Sequence, residues 1–315
     1  MLEFKAFDFK YNSIHLPEYI DFKLSQEENV PADYLEVTFP YFKESEAVRK
    51  IRLFEDGQPV FCGLCDEILS SKSVTGTFTK LYFRNMFGVL IDNEAVPAQF
   101  NNATAYIIFE KYIKQYGFEK FIADNKPLTG EFNIQKGTSV YNVLSEFCRL
   151  NYGCVPYLVD EKTISFTEPE KEKIMYFSDG SNQGLSDYGY YKIELSKFPC
   201  RLISKVKVKT SEKDFYKTII NNQKALIKGI VRERCIDACS ENTPMSCAGM
   251  IIDSSNKKYE EYKIYLHFPL FNVLGAKSSV SDFKFGEITD LKVAKTTVKA
   301  DKNVFSTEVT LVKEK

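Results

Sequence analysis

An α+β fold made mostly of antiparallel strands is predicted by three features of the 315-residue sequence. About the first 95 residues divide into short apolar or alternating runs bounded by turn residues, the mark of strands. Between about residues 102 and 153 the apolar period changes to that of a helix. After that, strand patterns return, and the chain ends in an alternating hairpin.

The opening strands are "EFKAFDF", "YLEVTFPYF", "VRKIRLFE", "PVFCGLCDEIL" and "GTFTKLYFRNMF". Their spacing suits a barrel or a sandwich. Asp56-Gly57 joins the third to the fourth, because a type I′ turn needs positive φ at both central residues. In that register Leu53 faces Val60, Ile51 faces Cys62 and Phe54 faces Pro59. Proline has no N–H to give, so the last pairing suits an edge.

The fourth strand carries Cys62-Gly63-Leu64-Cys65, which has the look of a redox or metal motif. Side chains alternate along a strand, so the two sulfurs leave on opposite faces. They cannot close a disulfide or share a metal without a bulge. No helix starts at the first cysteine, as it does in thioredoxin-like motifs. The geometry favours two packing cysteines.

Ala105, Ile108, Phe109, Tyr112, Ile113 and Tyr116 follow helical spacing, with Asn102 or Thr104 as cap and Gly117 as stop. A second helix carries Val140, Val143, Leu144, Phe147 and Leu150, capped by Thr138 or Ser139 and stopped at Gly153. Cys148 and Cys154 read as buried thiols. "CVPYLVD" and "TISFTE" form a hairpin around Glu161-Lys162. Residues 178–191, rich in Gly, Ser and Asp, read as a linker. "PCRLISKVKVKT" then places Leu202, Val206 and Val208 on one face and Lys205, Lys207 and Lys209 on the other. Such a ladder reads as the solvated side of a strand that resists edge pairing.

Cys235, Cys239 and Cys247 lie close in sequence, but without the paired C-x-x-C knuckles of structural zinc or a nearby histidine. Thr243-Pro244 reads as a helix start, with Cys247, Ala248, Ile251 and Ile252 as its apolar stripe. "EITDLKVAKTTVKA" and "VFSTEVTLVKE" close the chain as an antiparallel hairpin.

Composition narrows the function. Lys and Arg total 42 against 43 Asp and Glu, a net charge of −1, so no global basic excess points to nucleic acid or to an anionic membrane. Eight cysteines are too few for a disulfide scaffold. No signal-peptide pattern and no transmembrane run is present, so synthesis in the cytoplasm with reduced thiols and no membrane anchor is expected. His15 and His267 are the two histidines, which leaves little for a His-dependent hydrolase or a multi-histidine zinc site. Nucleotide-binding, nucleophile-elbow and zincin motifs are absent. No catalytic, cofactor-binding or metal residue is assigned, no cofactor is expected, and the expectation is a protein that is not an enzyme.

In this order of elements the chain resembles the baseplate hub proteins of contractile phage tails. These are the late control protein D type, which includes the central hubs of Mu-like prophages and of R-type bacteriocins. The likeness runs through "RLFEDGQPVFCGLCDEI", "TSVYNVLSEFCRLNYGCVPYLVDEKTISF", "RLISKVKVKT", "YKIYLHFPLFNVLGAKSSVSD" and the closing hairpin, about residues 51–312. The cysteine-rich "RERCIDACSENTPMSC" departs from it.

The resemblance implies two β-barrel-like hub domains plus smaller helix-containing α+β parts. The first barrel-like domain would span 1–95 and an α+β domain 96–177. After the 178–191 linker, a second barrel-like domain would span 192–315, opened by the strand in "RLISKVKVKT" and carrying a helical, Cys-rich insertion at about 211–256. The resemblance also implies a homotrimeric ring, a virion structural protein that adapts the six-fold tail tube to a three-fold tail spike. Tail tube, spike, baseplate wedge and tape measure proteins would be its partners, with DNA at most passing through the lumen. It would be assembled in the bacterial cytoplasm and be extracellular, in the baseplate of the particle, after lysis. The competing readings are a cell-wall hydrolase or Cys-dependent enzyme of the same injection apparatus, and a metal-binding adaptor through Cys235, Cys239 and Cys247.

Overall fold

In the computed structural model, residues 1–315 are described except 29, 75, 125, 168–173, 181–187, 210–215, 237–243, 303 and 315, and the side chains of 244–246. The fold is mostly β with antiparallel pairing dominant, and a single 14-stranded sheet runs through both halves of the chain.

The first half supplies β1 (Leu2–Phe7), β2 (Ser13–Ile14), β3 (Asp21–Glu27), β4 (Tyr34–Pro40), β5 (Lys50–Glu55), β6 (Gln58–Ser73) and β7 (Gly76–Asn85). They pair in the order β3-β4-β7-β6-β5-β1-β2. Alternation works as expected: Phe22 and Leu24 of β3, with Leu35, Val37 and Phe39 of β4, point into one core. The sheet curls until Phe4 of β1 meets Phe22 of β3 edge to face at 5.6 Å. Among the described residues β1 and β3 share no ladder, so the curled sheet is not a closed ring of strands.

Asp56 (φ 48°) and Gly57 (φ 80°) form the expected turn, and Phe54 pairs with Pro59. Beyond that pair the register corrects the sequence reading. A bulge inserts Val60, so Leu53 pairs with Phe61, Ile51 with Gly63, and Cys62 with Arg52. The extra residue lets Val60 and Phe61 both enter the core, which strict alternation forbids. At Pro59 β6 has β5 alone as neighbour, since its ladder with β7 begins at Gly63.

The middle of the chain forms a second core from α1 (Phe87–Asp92), β8 (Ala98–Asn101), α2 (Ala105–Ile108), β9 (Lys120–Ile122), β10 (Glu131–Ile134), α3 (Val140–Tyr152), β11 (Tyr157–Leu158) and β12 (Thr163–Ser165). α2 continues as a wide turn over Phe109–Ile113 and a tight one over Lys114–Tyr116, then stops at Gly117. Thr104 caps it by accepting from the Ile107 N–H, and Ser139 caps α3 by accepting from the Asn142 N–H. α1 is absent from the sequence reading, which ran one strand through Phe87. The Asn85 side chain accepts from the Phe87 N–H and turns the chain there.

The second half supplies β13 (Met175–Ser178), β14 (Tyr188–Gly189), β15 (Lys192–Lys197), β16 (Lys205–Val208), β17 (Thr218–Asn221), α4 (Gln223–Ile227), β18 (Glu233–Ile236), α5 (Pro244–Lys257), β19 (Glu260–Leu266), β20 (Lys277–Asp282), β21 (Gly286–Asp301) and β22 (Val304–Lys313). The main strands run β13-β20-β21-β22-β19-β15 around a core that includes Phe177, Ile264, Leu291, Val293 and Leu311. The segment read as a linker enters strands at both ends, Ser178 in β13 and Tyr188–Gly189 as β14; residues 181–187 lie outside the described residues.

The strand expected to open the second barrel-like domain, β16, does not join this sheet. It pairs with β17 and β18, and α5 packs on the three through Val206, Val208, Ala248 and Ile252. Val206 and Val208 are buried as read, but Leu202 lies before the strand and packs with Ala225 and Tyr259 in a separate core, while Ile203 joins Val206 and Val208.

Candidate interaction surfaces

The C-G-x-C stretch carries its constraint on glycine rather than on sulfur. Phe61, Gly63 and Cys65 share one face of β6, and Cys62 lies on the other. The seven described cysteines are free. Burial pushes the Cys62 thiol up to about 12 and the Cys65 thiol up to about 11, so neither is a ready nucleophile at neutral pH. A methyl at Gly63 would lie 2.5 Å from the Arg84 carbonyl oxygen of β7 and 2.6 Å from the Phe61 ring.

Cys62 instead belongs to an ion cluster that ties the middle domain to the first sheet. Glu161, at the tip of the β11–β12 turn, accepts from Lys50 Nζ at 2.8 Å and from Arg52 Nε at 2.8 Å. Cys62 Sγ donates to it at 3.3 Å. The Lys50 side chain is 5% exposed and that of Glu161 17%. Burial opposes charge on Glu161, but the bond from Lys50 and the two cations outweigh it and hold the carboxyl below the usual glutamate range. The sequence reading placed Glu161 in a turn and missed this role, since its two cationic partners lie more than 100 residues away and no local spacing marks them.

Other candidate residues do not converge. His15 is exposed after β2. His267 is exposed and stacks on Tyr191 with ring centroids 3.8 Å apart. Cys235 is exposed on β18 and Cys247 is half-buried on α5, while Cys239 and Thr243 lie outside the described residues. Lys207 and Lys205 of the lysine ladder reach Glu233 on the neighbouring strand at 2.5 and 3.6 Å. Among the described residues no helix is long and apolar enough to cross a membrane.

The two halves of the large sheet repeat one plan. The path β3-β4-β7-β6-β5 matches β15-β19-β22-β21-β20 strand for strand and in direction; the next strand differs, since β1 runs antiparallel to β5 but β13 runs parallel to β20. β6 and β21 are each 16 residues long, and β7 and β22 are each 10. β5 and β20, which pair with the starts of β6 and β21, have 6 each. Each long hairpin also carries a bulge at the same place before its turn, between Cys65 and Glu67 in one and between Val293 and Lys295 in the other. The copies are joined where Lys295–Asp301 of β21 pairs with Asp21–Glu27 of β3. Through this junction Val298 and Ala300 of the second copy complete the core of the first.

The fold is shared with tail proteins, one of them from a prophage. It resembles the tail protein from Neisseria meningitidis MC58 (TM-score 0.77, 13% identity, covering 99% of this chain and 96% of that one). It also resembles the 43 kDa tail protein of prophage MuSo2 from Shewanella oneidensis (TM-score 0.76, 14% identity, covering 100% and 99%). More distantly it resembles the E. coli c3393 protein, described as a type VI secretion component similar to T4 tail proteins gp27 and gp5 (TM-score 0.60, 10% identity, covering 99% and 76%). No protein-family model matches the sequence, and no curated protein matches it.

Proposed function

We propose that this protein is a structural baseplate hub component of a contractile phage tail or phage-tail-like particle. In this reading it forms a homotrimeric ring that adapts the six-fold tail tube to the three-fold spike. The observation that carries the reading is the repeated strand plan. A chain with two similar modules presents six similar units in a trimer, so one ring can meet a six-fold partner on one side and a three-fold partner on the other. The two curled sheets would act as the barrel-like modules, and the middle domain, fixed by Glu161, would sit outside them.

The role is non-enzymatic. The half-buried thiols of Cys62 and Cys65, which stay protonated at neutral pH, and the dispersed histidines support this, as does the likeness to tail proteins. Tube, spike, wedge and tape measure proteins are the expected partners, with DNA at most crossing the lumen. Assembly would take place in the bacterial cytoplasm, and release by lysis would follow. A particle-producing strain carrying Gly57→Val tests the reading, since that turn sets the β5–β6 hairpin. Loss of complete tails by electron microscopy is expected; normal, functional particles from a strain lacking the chain would overturn it.

A further inference from the structure

The internal repeat leaves two strand edges without counterparts. On β21 the edge beyond the bulge is filled by β3. On β6 the equivalent edge, Glu67–Lys72, has no ladder partner among the described residues, because β5 pairs only up to Leu64. On β15, the counterpart of β3, the edge opposite β19 has no ladder partner among the described residues. We propose that these two edges pair with each other between copies of the chain: β6 of one copy takes β15 of the next, antiparallel, as β21 takes β3 within the chain. This builds on the ring reading above and names the contact that would close it.

The repeat fixes the register. Counted from the hairpin turns, Arg84 of β7 and Val312 of β22 are equivalent, and they pair with Tyr34 and Glu261. Those residues in turn pair with Ser25 of β3 and Ser196 of β15. Within the chain Ser25 faces Thr297, whose place on β6 is held by Leu69. Leu69 therefore faces Ser196 of the neighbouring copy, and Ser71 faces its Glu194.

Burial supports the pairing. Phe22 and Leu24 of β3, covered by β21, are 2% and 1% exposed. Ile193 and Leu195 of β15, in the same places, are only half-buried. On the other side Leu69 is 44% exposed on a strand that runs past its own core. An open edge with a free backbone ladder is a template for strand addition. Ser70 and Lys72 stand where Val298 and Ala300 stand in the internal junction. The contact between chains is thus more polar than the one within, as suits a surface exposed before assembly. The contact is head-to-tail, so it propagates until rotation closes it.

Cysteine pairing in mixed chains tests it. Chains with Leu69→Cys are mixed with chains carrying Ser196→Cys, oxidised and run on a non-reducing gel beside wild type. Directly opposed residues on adjacent strands fall within disulfide reach. Lys192→Cys, on the same face but four residues off register, lies about 13 Å along the strand and serves as the mismatch. A linked dimer from 69 with 196, and none from 69 with 192 or from wild type, is expected. Closed oligomers without the 69–196 link would overturn the pairing and leave the hub reading standing. The link found only in open filaments would uphold the pairing and count against the ring. Chains that stay monomeric and unlinked at the highest soluble concentration would overturn the pairing. Hydrogen exchange gives a second readout, with slowing at 67–72 and 192–197 expected on assembly.

Discussion

Replacing Gly63 by alanine separates a packing role from a chemical one in the C-G-x-C stretch. The new methyl would sit 2.5 Å from the Arg84 carbonyl oxygen, which belongs to the neighbouring strand and cannot rotate away. The Phe61 ring at 2.6 Å can move, but it is buried in the first core. Relief therefore requires the β6–β7 ladder to open just where it begins, at Gly63 and Asn85. Overpacking of this kind costs about 1–3 kcal/mol, and a backbone obstacle puts Gly63→Ala toward the upper end. With a slope of about 2 kcal/mol per molar urea, the midpoint should fall by roughly 1 M. Urea titration followed by circular dichroism, with Cys62→Ser and Cys65→Ser alongside, is the assay. If Gly63→Ala leaves the midpoint within a few tenths molar while either serine variant abolishes particle assembly, the sulfurs matter and the packing argument fails.

Three further outcomes are expected. Glu161→Gln leaves Lys50 buried without its counter-charge and should cost about 3 kcal/mol, the low end for breaking a buried pair because Arg52 is partly solvated; a denaturation midpoint equal to wild type would refute it. Glu161 has a folded pKa below its unfolded value of about 4.3, so its contribution is complete above that value and fades as pH falls through the folded pKa. The stability gap between wild type and Glu161→Gln should thus be flat from neutral pH to about pH 5 and narrow in more acid solution; a gap that widens on acidification would contradict the sign. Gly57→Val puts a branched side chain at φ 80° and should cost about 1–2 kcal/mol, whereas Gly57→Asn should be tolerated, as melting temperatures would show.

What the sequence made legible was local. Both caps on the long helical segments, the Asp-Gly turn and the burial of Val206 and Val208 follow from chemistry within a few residues. The register past Pro59 did not, because a bulge at Val60 depends on the room available in a core built from distant strands. The far half of β6, "EILSSKS", carries no apolar alternation, since it extends past its own core. Its length shows only in its partner β7. The pairing of Glu161 with Lys50 and Arg52, and the match between the two halves of the sheet, involve residues far apart and unlike in sequence. The repeat is one of strand order and length rather than of residues, so only the folded chain exposes it.

The mass of the purified protein in solution, measured by light scattering with negative-stain images of the same fraction, tests the hub reading most directly. Three chains forming a closed ring with a central hole is the expected result. A compact monomer that stays single when the spike protein is added, or an open filament, would contradict it.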